Sequence, residues 1–170
     1  CCDKDIDLCI KNLHWWKELD RSSNLKAIIA HDDQTPPSKL AVLKELAESY
    51  FSGVTTFWYP APLKKTWPAA PNWAWQNCAR YMASVVNEPW LFLEADVTAI
   101  RKGWLRDIAK EYEKCGKPFM GARVGTTHPH LSGNSAYPAN WRTVAPSIAA
   151  VLQAPDIPQW GIGKGQPWDV

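Results

Sequence analysis

Glu94 and Asp96 stand one residue apart, directly after the apolar run Trp90-Leu91-Phe92-Leu93. Carboxylates are hard oxygen ligands that suit Mg²⁺ or Mn²⁺. Such a cation takes one or two of them and fills its shell with water and substrate phosphates. Its chemical service is to stabilise a diphosphate leaving group. An isolated acid-x-acid triplet is more often a solvated turn. Its place after a run that reads as a core strand shifts that weighting, because the strand would fix both carboxylates. A second acidic pair, Asp32-Asp33, follows another apolar run at 25–30.

The elements that must carry these groups alternate. Residues 5–19 have apolar side chains at Ile6, Cys9, Ile10, Leu13 and Trp16, a helical stripe. The run 25–30 reads as a buried strand with acids at its carboxyl end. Thr35-Pro36-Pro37 predicts a Thr-capped helix start with proline in the first turn. That helix is expected to run to Tyr50. Residues 54–59 are rich in β-branched and aromatic side chains and predict a second strand. A proline-rich loop at 60–71 leads to a helix over 72–86. After the strand at 90–93 come a helix over 100–112, a strand over 118–124, a short strand within 130–138 and a helix over 142–152. The end, 154–170, is loop-like. This order predicts an α/β domain with a mostly parallel central sheet and flanking helices. Such sheets bind ligands at the carboxyl ends of their strands, where both acidic clusters fall.

Bulk composition removes several classes. A net charge of +2 gives no electrostatic footprint for nucleic-acid binding. No apolar run is long enough to span a bilayer. Five cysteines without C-x-x-C spacing predict neither a zinc site nor a disulfide framework, so a reducing, cytoplasmic setting is the simplest reading. Cys1 stands where a native start would be Met; a partial chain is expected in preference to a lipidated mature terminus. Ser132 and Cys78 have no visible base partner, which speaks against a nucleophilic hydrolase. His14, His31, Lys64, Lys65, Arg123 and Arg142 are most simply packing or solvated residues.

The segment Trp90-Leu91-Phe92-Leu93-Glu94-Ala95-Asp96-Val97 resembles the DxD region of GT-A-fold glycosyltransferases, with Glu in the first acidic place. Further along, Gly103-Trp104-Leu105, Glu111-Tyr112, Lys117-Pro118-Phe119-Met120-Gly121, His130-Leu131-Ser132-Gly133 and Ala136-Tyr137-Pro138 resemble the order of elements in GT-A-like proteins of bacteria and phages. Upstream, Ile28 to Asp33 is similar to the strand whose terminal Asp contacts the nucleotide base. The similarity covers about residues 5–140. It implies a single GT-A-like domain over 1–170, with a nucleotide-binding half at 5–97 and an acceptor-side half at 98–170. It also implies a first strand that this sequence does not contain.

Carried over residue by residue, the resemblance makes Asp96 the principal metal ligand. Glu94 becomes a metal or ribose contact, and Asp33, with Asp32, the base-contacting acid. Asn77 matches the Asn of the helix before the DxD strand. His130, or its neighbour His128, lies near a late metal-binding His, and Asp169 resembles the catalytic base of inverting members. The expectation is a glycosyltransferase using Mn²⁺ or Mg²⁺ and a nucleotide-sugar donor, with a glycan or other hydroxyl acceptor. The alternatives are a non-catalytic carbohydrate- or nucleotide-binding domain and, less favoured, a nucleotidyltransferase. The 11 tryptophans divide by position. Trp15, Trp16, Trp75, Trp90 and Trp104 are expected to pack. Trp58, Trp67, Trp73, Trp141, Trp160 and Trp168 are expected near donor or acceptor.

Overall fold

The computed structural model describes residues 2–62, 69–124 and 130–146. Its elements are α1 (Ile6–Asp20), β1 (Ser23–Asp32), α2 (Pro37–Glu48), β2 (Phe51–Tyr59), α3 (Ala69–Val85), β3 (Trp90–Phe92), α4 (Trp104–Cys115), β4 (Met120–Val124), β5 (His130–Tyr137) and α5 (Trp141–Val144). The order of helix and strand follows the apolar periods of the sequence, and the fold is mixed α/β. Two compact units divide the chain, and the division follows sheet membership rather than chain order. The first takes described residues of 1–61 and 94–114; the second takes those of 62–93 and 115–170.

The first unit holds a two-stranded parallel sheet. β1 and β2 pair from Lys26↔Gly53 to Asp32↔Tyr59. Parallel pairing needs a crossover of about a dozen residues, which α2 supplies. Proline stands at the start of α2, where a missing N–H costs nothing. Thr35 does not cap α2, contrary to the sequence reading: Pro36 occupies the cap position. The Thr35 hydroxyl donates to Asp32 Oδ1 at 2.9 Å, a bond within the turn that precedes the helix. Ile6, Leu13, Leu43, Ala47, Tyr50, Ala99, Trp104 and Leu105 are buried in this unit. Trp16 and Trp104 meet with ring centroids 4.8 Å apart.

The second unit holds three strands in the order β3-β5-β4, both pairs antiparallel. A single, mostly parallel central sheet is therefore not what forms among the described residues. Only five residues separate β4 from β5, too few for a parallel crossover, so the chain returns antiparallel. β5 then takes the place between β4 and β3. Gly121 sits opposite Ser135, and a Cβ there would lie 3.0 Å from the Ser135 Cβ. A side chain at 121 would force Ser135 to give way.

The core of the second unit is aromatic. Trp75, Ala79, Tyr137 and Trp141 form its buried centre, with Ala83, Trp90, Phe92 and Phe119 packed against it. Trp90 stacks on Tyr137 at 4.3 Å and 18°. The Trp75 indole donates to the Tyr137 hydroxyl at 3.1 Å. Trp141, expected on the acceptor side, is a core residue.

Cys78 is buried on α3, and burial pushes its thiol from 9.0 up to about 12. The unfolded thiol ionises near its ordinary value, while the folded one stays protonated. This contribution to stability is fully present below pH 9 and is lost as pH rises towards 12. Cys78 is thus expected to react with a thiol reagent at pH 8–9 only as fast as the protein opens. Added denaturant should accelerate its labelling; rapid modification under native conditions would contradict this burial.

Candidate functional site

The triplet Glu94-Ala95-Asp96 lies just past β3 and belongs to the first unit. It forms a turn in which the Val97 N–H donates to the Glu94 carbonyl at 3.2 Å. Glu94 is half-buried and the Asp96 side chain is exposed.

The turn is held from α1. Asn12 is buried on that helix. Its Nδ2 donates to the Ala95 carbonyl at 2.8 Å, and its Oδ1 accepts from the Thr98 hydroxyl at 3.2 Å. One turn on, the Trp15 indole donates to the Ala99 carbonyl at 2.7 Å. At the end of α1, Asp20 Oδ1 accepts from the Gly103 N–H at 2.7 Å. Gly103 has φ of 71°, a conformation that glycine adopts without the penalty a side chain would bring. Four hydrogen bonds thus fasten residues 95–103 along one helix, and they use backbone or neutral groups of the segment. Neither carboxylate is consumed in them.

Asp32 and Asp33 close β1. Asp32 is buried, and its Oδ1 accepts from the Gln34 N–H at 3.2 Å as well as from Thr35. That is the geometry by which an Asp side chain shapes its own turn. Asp33 is exposed; its Oδ1 accepts from the Ala61 N–H at 3.0 Å and its own N–H donates to the Tyr59 carbonyl at 3.1 Å. It clips the end of β1 to the chain leaving β2. His31 Nδ1 lies 3.1 Å from the Asp32 carbonyl, a local contact at the strand end.

The remaining expected residues fall elsewhere. Asn77 is in the second unit, where its Nδ2 donates to the Trp73 carbonyl one turn back on α3, at 2.7 Å. His130 opens β5, its backbone paired in register with Val124. His128 and Asp169 lie outside the described residues, as do Lys64, Lys65, Trp67, Trp160, Trp168 and the glycines at 161, 163 and 165. Among the described residues, no three His, Cys, Asp or Glu side chains gather as a metal-holding group.

Sequence reasoning missed three carboxamides. Asn12 lies beside the apolar stripe of α1 rather than on it, so only the fold reveals its partner 83 residues away. Asn72 and Gln76 share the buried face of α3 with Trp75 and Ala79. Their spacing around Trp75 was legible, but a polar residue at a core position carries no periodic signal. Trp58 is 66% exposed at the end of β2, in the first unit, near the strand end that also carries the acids. No helix among the described residues is long and apolar enough to cross a membrane. Compared with models of protein families, with curated protein sequences and with solved structures, the chain matches none.

Proposed function

We propose that this chain is a metal-dependent glycosyltransferase that uses a nucleotide-sugar donor. The observation that carries the reading is the clamped acidic turn. Asn12 and Trp15 fix residues 95–99 through carbonyls and a hydroxyl, while the Asp96 carboxylate stays exposed. Mn²⁺ or Mg²⁺ needs only one or two carboxylates when phosphates and water complete its shell, so Asp96 with Glu94 is a fitting donor set. When bound there, the cation would neutralise charge on the diphosphate leaving group. The chain's own contribution is to fasten the backbone that carries these carboxylates before substrate arrives. Asp33 presents a carboxylate at the end of β1, the place for a base contact in this reading.

One observation favours a second reading, a carbohydrate- or nucleotide-binding domain without catalysis. Asp32 is committed to its own turn, and one oxygen of Asp33 to Ala61. Acids already engaged in this way are sufficient to explain the strand end structurally.

Thermal shift with Mn²⁺ and UDP, GDP, CDP or dTDP tests both. A ligand at a hundredfold its Kd stabilises by about 2.7 kcal/mol. Such a gain is expected for one nucleotide, only with metal, and Asp96→Ala is expected to abolish it. If no nucleotide gives a metal-dependent shift, the transferase reading falls, and of the second reading only carbohydrate binding is left. Sugar-nucleotide hydrolysis by the chain that shifts would separate the enzyme from the binder.

A further inference from the structure

We propose that the outer edge of β2 pairs with β2 of a second copy of the chain, antiparallel and centred on Thr55, to make a closed dimer with one continuous sheet. Among the described residues the sheet of the first unit has two strands, so β2 meets β1 along one edge alone. The Asp33 N–H donates to the Tyr59 carbonyl, which therefore faces β1. Peptide groups of alternate residues in a strand point to opposite edges. Thr55 and Phe57 thus also face β1, while Ser52, Val54, Thr56 and Trp58 present their backbone groups on the outer edge. Such an edge is a template for another strand, and proteins blunt it with charge, proline or a bulge. β1 has such devices: Lys26, Asp32 and a register shift between Ser23 and Lys26. β2 contains no charged residue and no proline, and it keeps register with β1 from Gly53 to Tyr59. Trp58, on this strand, is 66% exposed.

The residues of the strand select a second copy as the occupant. Partners in a hydrogen-bonded antiparallel pair exchange both of their bonds, so outward-facing residues must meet outward-facing residues. A two-fold axis at Thr55, the midpoint of β2, achieves this over the whole strand. Val54 meets Thr56 and Ser52 meets Trp58, each in both directions, which gives about eight hydrogen bonds at two per pair. Between them Thr55 meets Thr55, Gly53 meets Phe57 and Phe51 meets Tyr59. Thr–Thr and aromatic–aromatic pairs stabilise a sheet, and an aromatic ring covers an opposing glycine. No like charges are opposed. Trp58 also reaches Val54 of the second copy on the diagonal, which takes apolar ring surface out of water. An edge that pairs with itself makes an isologous contact, so the assembly closes at two copies. The inference rests on the sheet of the first unit and does not depend on the transferase reading.

The test is sedimentation velocity of the full chain from micromolar to sub-millimolar concentration, where a reversible monomer–dimer equilibrium is expected. Thr55 is exposed, so Thr55→Lys and Thr55→Glu alter the edge without touching the core. Each variant alone sets like charges against each other at the axis and should weaken dimerisation by about fivefold or more. Mixed in equal amounts, the two should pair with each other and recover it. Recovery requires that residue 55 face itself, which another interface would not produce. In the wild-type chain, the amides of Val54, Thr56 and Trp58 should exchange with solvent more slowly as concentration rises. Those of Thr55 and Phe57 should not change. This readout stands even if a variant fails to fold. A chain that stays monomeric throughout, or that grows beyond two copies, overturns the proposal. So does a dimer that both variants leave intact, or one that mixing fails to recover. The metal-dependent nucleotide shift is measured separately, so either conclusion can fail alone.

Discussion

Trp75→Ala is expected to destabilise the protein by about 3–5 kcal/mol, measured by chemical denaturation. Trp75 is 2% exposed and sits at the centre of the second unit's core. Truncation removes its packing against Ala79, Tyr137 and Trp141 and leaves a cavity between a helix and a sheet. It also removes the donor to the Tyr137 hydroxyl. The total stability of a domain is typically about 5–15 kcal/mol, so this one change consumes a large share of it. Trp75→Phe keeps an aromatic ring and should cost less. A loss below about 1 kcal/mol for Trp75→Ala would be incompatible with a packed core at this position.

Asn12→Ala is the second large effect, about 1–3 kcal/mol. The substitution removes the donor to the Ala95 carbonyl and the acceptor for the Thr98 hydroxyl, which is exposed and can turn to water. Asn12→Asp is expected to be no better, although it is nearly isosteric. It keeps an acceptor for Thr98 but sets a carboxylate oxygen against the Ala95 carbonyl oxygen. Hydrogen exchange at the Val97 N–H reports the turn directly, since that amide closes it onto Glu94. Faster exchange there, with a lowered denaturation midpoint, is the expected pair of results. Unchanged exchange in Asn12→Ala would mean that the turn holds itself. If the turn binds metal, the nucleotide shift should weaken in the same variants.

Much of this structure was legible in the residues. The β-branched and aromatic run before Pro60 made β2, and the apolar stripe from Ile6 to Trp16 made α1. These depend on local periodicity, which a sequence carries openly. Strand direction was harder to read. The segment at 118–124 and the one at 130–137 look alike whether they pair parallel or antiparallel; the length between them decides. Thr35 had the right type for a helix cap, but α2 starts one residue later than the sequence suggests, with Pro36 at the cap position. Of the candidate site, the acidic turn and the acids at the end of β1 were found from composition and place. The side chains that hold the turn were not. Asn12 and Trp15 reach residues 83 and 84 positions away, and no local pattern encodes such a partner.

The first unit is assembled from two stretches of chain, 1–61 and 94–114, with part of the second unit between them. This has a consequence for synthesis. At about 5–20 residues per second on the ribosome, α1 waits roughly 4–17 s for the segment that Asn12 grips. Through that interval Asn12 and Trp15 face a surface that their partners have yet to cover. Contacts this far apart in sequence raise contact order, and folding slows accordingly. The parallel pair β1 and β2, joined by α2, is the part of the unit that can form first. The acidic turn reaches its clamp only after β1, α2 and β2 are made, and Trp104 and Leu105, which complete the same core, follow it off the ribosome.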